Sequence, residues 1–208
     1  RLARARQALE PSLARLLALA TMPDPAGFIR VAPAPLAAAP EELGLRALAA
    51  VLMAVGGRDY PPRLERLERL YREIVGGLAR GRTLGGCRIV AHRGTLLVCR
   101  EAKALAPPVP VWPGLSANWD GRFCLALSPD APTGLTLGAL GPIKVNENAR
   151  VLPAAVRIGV AALRDDRGII AVPALGFCRD GEDKSAAAGR AILLRTARPA
   201  TGAGIKVV

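Results

Sequence analysis

The sequence predicts an α+β protein in which a helical segment is followed by a small, mixed, mostly β segment. Two observations predict it. Apolar residues recur at intervals of three and four through the first 80 residues, and after Gly81 the pattern becomes two-residue alternation broken by glycine and proline. A chain of 208 residues, 51% of them hydrophobic, can form two small domains that each bury a core. The change in composition near Gly81 gives a helical domain over 1–80 and a β-rich domain over 81–208.

The first run places Leu2, Leu9, Leu13, Leu16, Leu17 and Ala20 on one helical face, with Pro11 breaking or kinking it, so one helix or two short ones are expected. Phe28, Ile29 and Val31 form a short strand within a proline-rich connector. Glu41 and Glu42 then start a buried helix at the positive end of its dipole, and Gly56 and Gly57 end it. After Pro61 and Pro62, residues Leu64, Leu67, Tyr71, Ile74 and Leu78 make a narrow apolar seam. On its outer face Glu65 precedes Arg69, and Glu68 precedes Arg72, by four residues, pairings that contribute about 0.2 to 0.5 kcal/mol each. A solvated helix surface accounts for these charges.

Beyond Gly81, residues 83–90 and 95–100 read as a hairpin turning at Gly94. Four prolines make 107–114 irregular, because proline cannot occupy a central strand. A strand over 119–127, a glycine-punctuated turn or strand over 133–141 and a short helix over 151–158 follow. Residues 160–163 and 168–172 form a second hairpin, and a last strand is expected in 202–208.

No catalytic centre is legible. The strings G-x-x-x-x-G-K-[ST], G-x-G-x-x-G and G-x-S-x-G are absent, and the doubled glycines at Gly56, Gly76 and Gly85 read as turn formers. His92 is the only imidazole and lies at a hairpin turn beside Arg93. Asp120, Asp165, Asp166, Asp180, Glu182 and Asp183 show no spacing that fixes a metal or a carboxylate pair. Cys87, Cys99, Cys124 and Cys178 lack C-x-x-C spacing and read as reduced, buried thiols. No metal and no cofactor are expected in this chain. No run of about eighteen uncharged apolar residues and no signal-peptide core occurs, so a soluble, cytoplasmic protein without membrane contact is expected. The chain begins with Arg inside a helical pattern, and the expectation is a piece of something longer.

The net charge of +12 favours a polyanionic partner, since neutralised phosphates release counterions. The 25 Arg against 4 Lys equally fit the codon bias of a GC-rich genome. Residues 80–103 concentrate the charge, with Arg80, Arg82, Arg88, Arg93, Arg100 and Lys103 against Glu101 alone, and alternation sets Arg88 and His92 on one face of a ribbon. Lys184, Arg190, Arg195, Arg198 and Lys206 form a second basic run. With 3% aromatic residues, recognition would rest on phosphates and shape rather than on base stacking. Arg82, Arg88, Arg93, Arg100, Lys103 and Arg122 are the candidate RNA contacts. In Trp119-Asp120-Gly121-Arg122-Phe123 a structural role is equally open, with Asp120 and Arg122 fixing a turn.

Pro61-Pro62-Arg63, Arg82-Thr83-Leu84-Gly85-Gly86-Cys87-Arg88-Ile89, Arg100-Glu101 and Trp119-Asp120-Gly121-Arg122-Phe123 occur in this order. Together they resemble the region that follows the catalytic domain in bacterial tRNA(Ile)-lysidine synthetases, over residues 40–180. The resemblance implies a parent enzyme that uses ATP, with magnesium, to adenylate the wobble cytidine of the CAU anticodon of tRNA(Ile), and free lysine then displaces AMP. The family's PP-loop string S-G-G-x-D-S is absent here, so no catalytic residue is carried over. By this resemblance the chain is inactive alone and positions the tRNA. The rival expectation is a non-catalytic protein-interaction or scaffold module, and whether the chain forms a homodimer stays open.

Overall fold

The computed structural model describes residues 2–145, 152–179 and 190–193, and the side chains of 9–145 and 152–179. The described residues divide into two compact units: 2–24 with 28–99, and 25–27 with 100–145, 152–179 and 190–193.

The first unit is a five-stranded sheet with helices on one face. Helix α1 (Leu2–Ala20) runs through Pro11 without a break, and Pro11 is exposed, so water can meet the carbonyl that loses its helical donor. Strands β1 (Thr21–Asp24) and β2 (Phe28–Val31) pair antiparallel, and of these only β2 was expected from the sequence. The proline-rich connector contains a short helix, α2 (Pro33–Ala38), whose prolines fall in the first turn where their missing N–H groups cost nothing. Helix α3 (Glu41–Gly56) begins with its acidic pair and ends at Gly57 with φ of 60°. Helix α4 (Leu64–Val75) buries Leu67, Leu70, Tyr71 and Ile74, while Leu64, expected in the seam, is exposed.

Gly44 sets the approach of α3 to α4: a Cβ there would lie 2.4 Å from the Tyr71 hydroxyl. That hydroxyl donates to the Leu36 carbonyl at 2.8 Å, tying α4 to α2. Burial, then the nearby Glu41 carboxylate, pushes the Tyr71 phenol up.

Residues 83–90 are not one strand. Gly85 and Gly86, at φ of 63° and 80°, turn the chain between β3 (Arg82–Leu84) and β4 (Cys87–His92). Arg93 and Gly94 make the next two-residue turn, into β5 (Thr95–Arg100). The sheet order is β1-β2-β5-β4-β3. The change in composition at Gly81 therefore falls inside the first unit. A two-stranded hairpin such as β1–β2 is marginal alone, and β5 beside β2 extends it into a sheet. Its helix-facing residues Ile29, Val31, Cys87, Ile89, Leu96 and Val98 share one core with α1 to α4.

The second unit has two sheets. Strands β6 (Val109–Val111), β9 (Leu135–Ala139), β10 (Ala161–Asp165), β11 (Gly168–Val172) and β12 (Phe177–Cys178) lie in the order β12-β11-β10-β9-β6. Pro110 is accommodated because β6 is an edge strand. The strand expected over 119–127 is instead a hairpin of β7 (Ser116–Trp119) and β8 (Phe123–Ala126), joined in a three-stranded sheet by β13 (Arg190–Leu193). Helix α5 (Ala154–Arg157) falls in the span expected to be helical. The hairpin of β10 and β11 is present. Trp119, Phe123 and Leu125 of one sheet pack with Leu135, Leu137, Leu163 and Ile170 of the other. The strand expected in 202–208 lies outside the described residues.

Candidate nucleic-acid interface

The Trp119–Phe123 string folds as a tight loop because Trp119 and Phe123 pair across β7 and β8, leaving Asp120, Gly121 and Arg122 to reverse the chain. Asp120 takes φ of 55° and Gly121 takes 64°, and Asp tolerates this left-handed region better than most side chains. The carboxylate is thereby turned inward and is 0% exposed. It accepts Nε of Arg100 at 3.0 Å, Nε of Arg122 at 2.8 Å and the backbone N–H of Ala106 at 3.0 Å. Arg122 also donates to the carbonyls of Gly27 at 3.0 Å and Gly159 at 2.8 Å, and its guanidinium lies 4.7 Å from the Phe123 ring centre.

Two expected RNA contacts are therefore corrected. Arg122 is 1% exposed, and the Arg100 side chain is 9% exposed, and both are committed to Asp120. Their guanidinium groups join residues 25–27, 100–106 and 159 within the second unit, and they do not face solvent as phosphate ligands. The structural alternative for the Trp-Asp-Gly-Arg-Phe string is the one the geometry realises.

The other four cations are exposed, and the three in the first unit are not on one face. Thr83 stands opposite Arg88, and Arg82 opposite Ile89, in the β3–β4 register. Directly opposed side chains share a face, so Arg82 lies on the helix-covered side with Ile89, and Arg88 lies on the other. Arg82 is accordingly drawn to α4, where its Nε donates to Glu73 at 2.5 Å. Arg88 alternates outward from Cys87 and Ile89. Arg93 occupies the tip of the β4–β5 turn at φ of 47°, a conformation that glycine or asparagine adopts more cheaply. Lys103 is exposed in a single 3-10 turn of the second unit. Among the described residues, Arg88, Arg93 and Lys103 form no ion pair. His92 is half-buried, and its carbonyl accepts the Thr95 hydroxyl at 3.0 Å.

Sequence reasoning missed Arg66 and Arg69. The expected pairs Glu65–Arg69 and Glu68–Arg72 do not form; Nε of Arg72 reaches only the backbone oxygen of Glu68, at 3.4 Å. Arg66, Arg69 and Glu73 stand on one side of α4 and, with Arg82 and Thr83 of β3, line a groove of about 360 Å³ floored by Leu70 and Leu84. The available signal was their place beside the apolar seam, where a helix meets its neighbour. Arg66 and Arg69 carry no ion pair among the described residues.

Asp165 accepts from the Arg179 guanidinium and from the backbone N–H of Arg167 at 3.0 Å, which holds its carboxyl at about 2, and Arg179 makes the largest contribution. Arg164 donates to the carbonyls of Ala139 and Leu140 at 2.7 and 3.0 Å. Among the described residues, no three His, Cys, Asp or Glu side chains cluster to hold a metal ion, and no helix is long and apolar enough to cross a membrane. The side chains of Lys184, Arg190, Arg195, Arg198 and Lys206 lie outside the described residues.

No protein-family model and no solved structure matches the chain. Curated proteins do. A tRNA(Ile)-lysidine synthase of Caulobacter vibrioides is 32% identical over 167 residues, covering 78% of this chain and 38% of that protein. One from Hyphomonas neptunium is 48% identical over 69 residues, 33% of this chain and 19% of the relative. One from Anaplasma marginale is 32% identical over 107 residues, 50% of this chain and 23% of the relative. The chain thus spans less than two fifths of the length of these relatives. Over most of its own length it is related to the tRNA(Ile)-lysidine synthases.

Proposed function

We propose that this chain is a tRNA-gripping portion of a tRNA(Ile)-lysidine synthase, inactive alone, whose parent enzyme joins lysine to the wobble cytidine of the CAU anticodon with ATP. The observation that carries the gripping role is the β4–β5 ribbon, where Arg88 on the outer face and Arg93 at the tip form no ion pair among the described residues. Arg93 is held at a backbone angle that costs an ordinary side chain about 1–2 kcal/mol. A cation placed at such a position suggests a use for its charge. Guanidinium groups on a rigid ribbon suit the phosphates of a folded RNA, where they position without reading sequence. Lys103 is a third contact in this proposal, on the second unit.

The sequence lacks the S-G-G-x-D-S string, and no chemical step is assigned to these residues. The chain's contribution is orientation: phosphate contacts remote from the reacting base hold the tRNA in register.

One observation favours the rival scaffold function. Arg46, Arg82, Arg100, Arg122 and Arg179 are all engaged by internal carboxylates, so part of the positive charge serves the fold. Filter binding of tRNA to the 208-residue chain, titrated with salt, separates the two. The tRNA-gripping role requires affinity that falls steeply with salt. It also requires that Arg93→Asn weaken binding while raising stability by up to about 1 kcal/mol through relief of the turn. Absence of binding at low salt leaves the scaffold.

A further inference from the structure

We propose that the groove between α4 and β3 is a second RNA site, in which Arg66 and Arg69 clamp a backbone phosphodiester on the sheet face opposite Arg88. It rests on the RNA-binding function proposed above but on different residues. Arg66 and Arg69 lie one turn apart on α4, are exposed, and meet no carboxylate among the described residues. The one acid of the groove, Glu73, is taken up by Nε of Arg82 at 2.5 Å, so it offsets Arg82 rather than the other two. That pair also fixes Arg82 at the groove wall, leaving Arg66 and Arg69 as the surplus charge. Leu70 and Leu84 give an apolar floor on which a ribose can rest.

A single-sided contact through Arg88 and Arg93 would leave an RNA free to roll about the ribbon. Cations on the helix side of the same sheet, at its β3 edge, give a second point of attachment on one rigid body. The cavity exceeds one phosphate group in size, which suits a segment of backbone. A small free phosphate compound shares the chemistry, and the test distinguishes the two.

The experiment compares the 208-residue chain with Arg66→Gln/Arg69→Gln and with Arg63→Gln/Arg72→Gln, a control that removes the same charge from α4 and its N-cap, outside the groove lining. Glutamine keeps helix propensity, and circular dichroism checks the fold. The groove variant should lose roughly tenfold in tRNA affinity, with a salt dependence less steep by about 1, near 0.9 for each phosphate neutralised. The control should change by less than about threefold. Equal losses in both variants would overturn the groove while leaving RNA binding intact. No tRNA binding by the unsubstituted chain at low salt would remove both proposals. In a parallel calorimetric titration with pyrophosphate, tight binding that depends on Arg66 and Arg69, with tRNA affinity unchanged, would assign the groove to a free phosphate compound and overturn the RNA assignment.

Discussion

Replacing Arg122 with alanine tests whether this residue is an internal strut. Its guanidinium serves the Asp120 carboxylate at 2.8 Å and two backbone carbonyls, of Gly27 and Gly159, at 3.0 and 2.8 Å, and the residue is 1% exposed. Stripping the donor from two buried carbonyls costs about 1–3 kcal/mol each. Removing one member of a buried ion pair costs about 3–5 kcal/mol. The two figures describe the same loss and agree. They are not summed, because Arg100 continues to neutralise Asp120 at 2.9 Å. We expect about 4 kcal/mol, a large share of the roughly 5–15 kcal/mol that stabilises a folded protein. With a urea slope of about 2 kcal/mol per molar, the midpoint of the transition reported by Trp119 fluorescence should fall by about 2 M. Asp120→Asn, which keeps a residue tolerant of φ near 55°, completes a double-mutant cycle with a coupling of about 1–3 kcal/mol. A loss below about 1 kcal/mol, combined with a tenfold loss of tRNA affinity by the folded variant, would refute the strut and restore Arg122 as a surface ligand.

Two further outcomes follow from the geometry. Gly44→Ala should destabilise the first unit although alanine is the better helix former by about 1 kcal/mol, because its Cβ would meet the Tyr71 hydroxyl at 2.4 Å and strain the bond to Leu36; thermal unfolding reads the sign. Asp165 is held at about 2 in the folded protein, below its ordinary 3.8, so its pairing with Arg179 stabilises above pH 3.8 and is lost as the pH falls towards 2. Acid unfolding followed by circular dichroism should therefore show a smaller loss of stability between pH 4 and pH 2 in Asp165→Asn than in the unsubstituted chain.

The helices were legible because periodicity is local. The buried stripe of α4 follows from spacing, and Glu41, Glu42 and Gly57 bracket α3 within one stretch of sequence. The outward direction of Arg88 was equally legible, since alternation along β4 fixes it once Cys87 and Ile89 are buried. The β3–β4 break was harder, because Gly85 and Gly86, although turn formers, lie inside the span 83–90 whose alternation reads as one strand, and their positive φ values place the turn there. The groove was concealed by a rule that works on isolated helices: Glu65–Arg69 and Glu68–Arg72 have ideal spacing yet form no ion pair among the described residues, and β3 brings Arg82 to Glu73 beside Arg66 and Arg69.

Sequence alone determined the α+β class, a mainly helical stretch before a mostly β one, and the relation to tRNA(Ile)-lysidine synthases, because periodicity and motif order are properties of the chain itself. Tertiary structure alone decided which arginines are used up. Arg122 meets Gly27 across 95 positions and Arg100 meets Asp120 across 20, separations that no spacing rule spans. A guanidinium on a strand is equally compatible with solvent and with a buried carboxylate. Only the folded arrangement fixes which of the two lies within a few ångströms, because the Coulomb and hydrogen-bond terms depend on distance in space and not on separation along the chain.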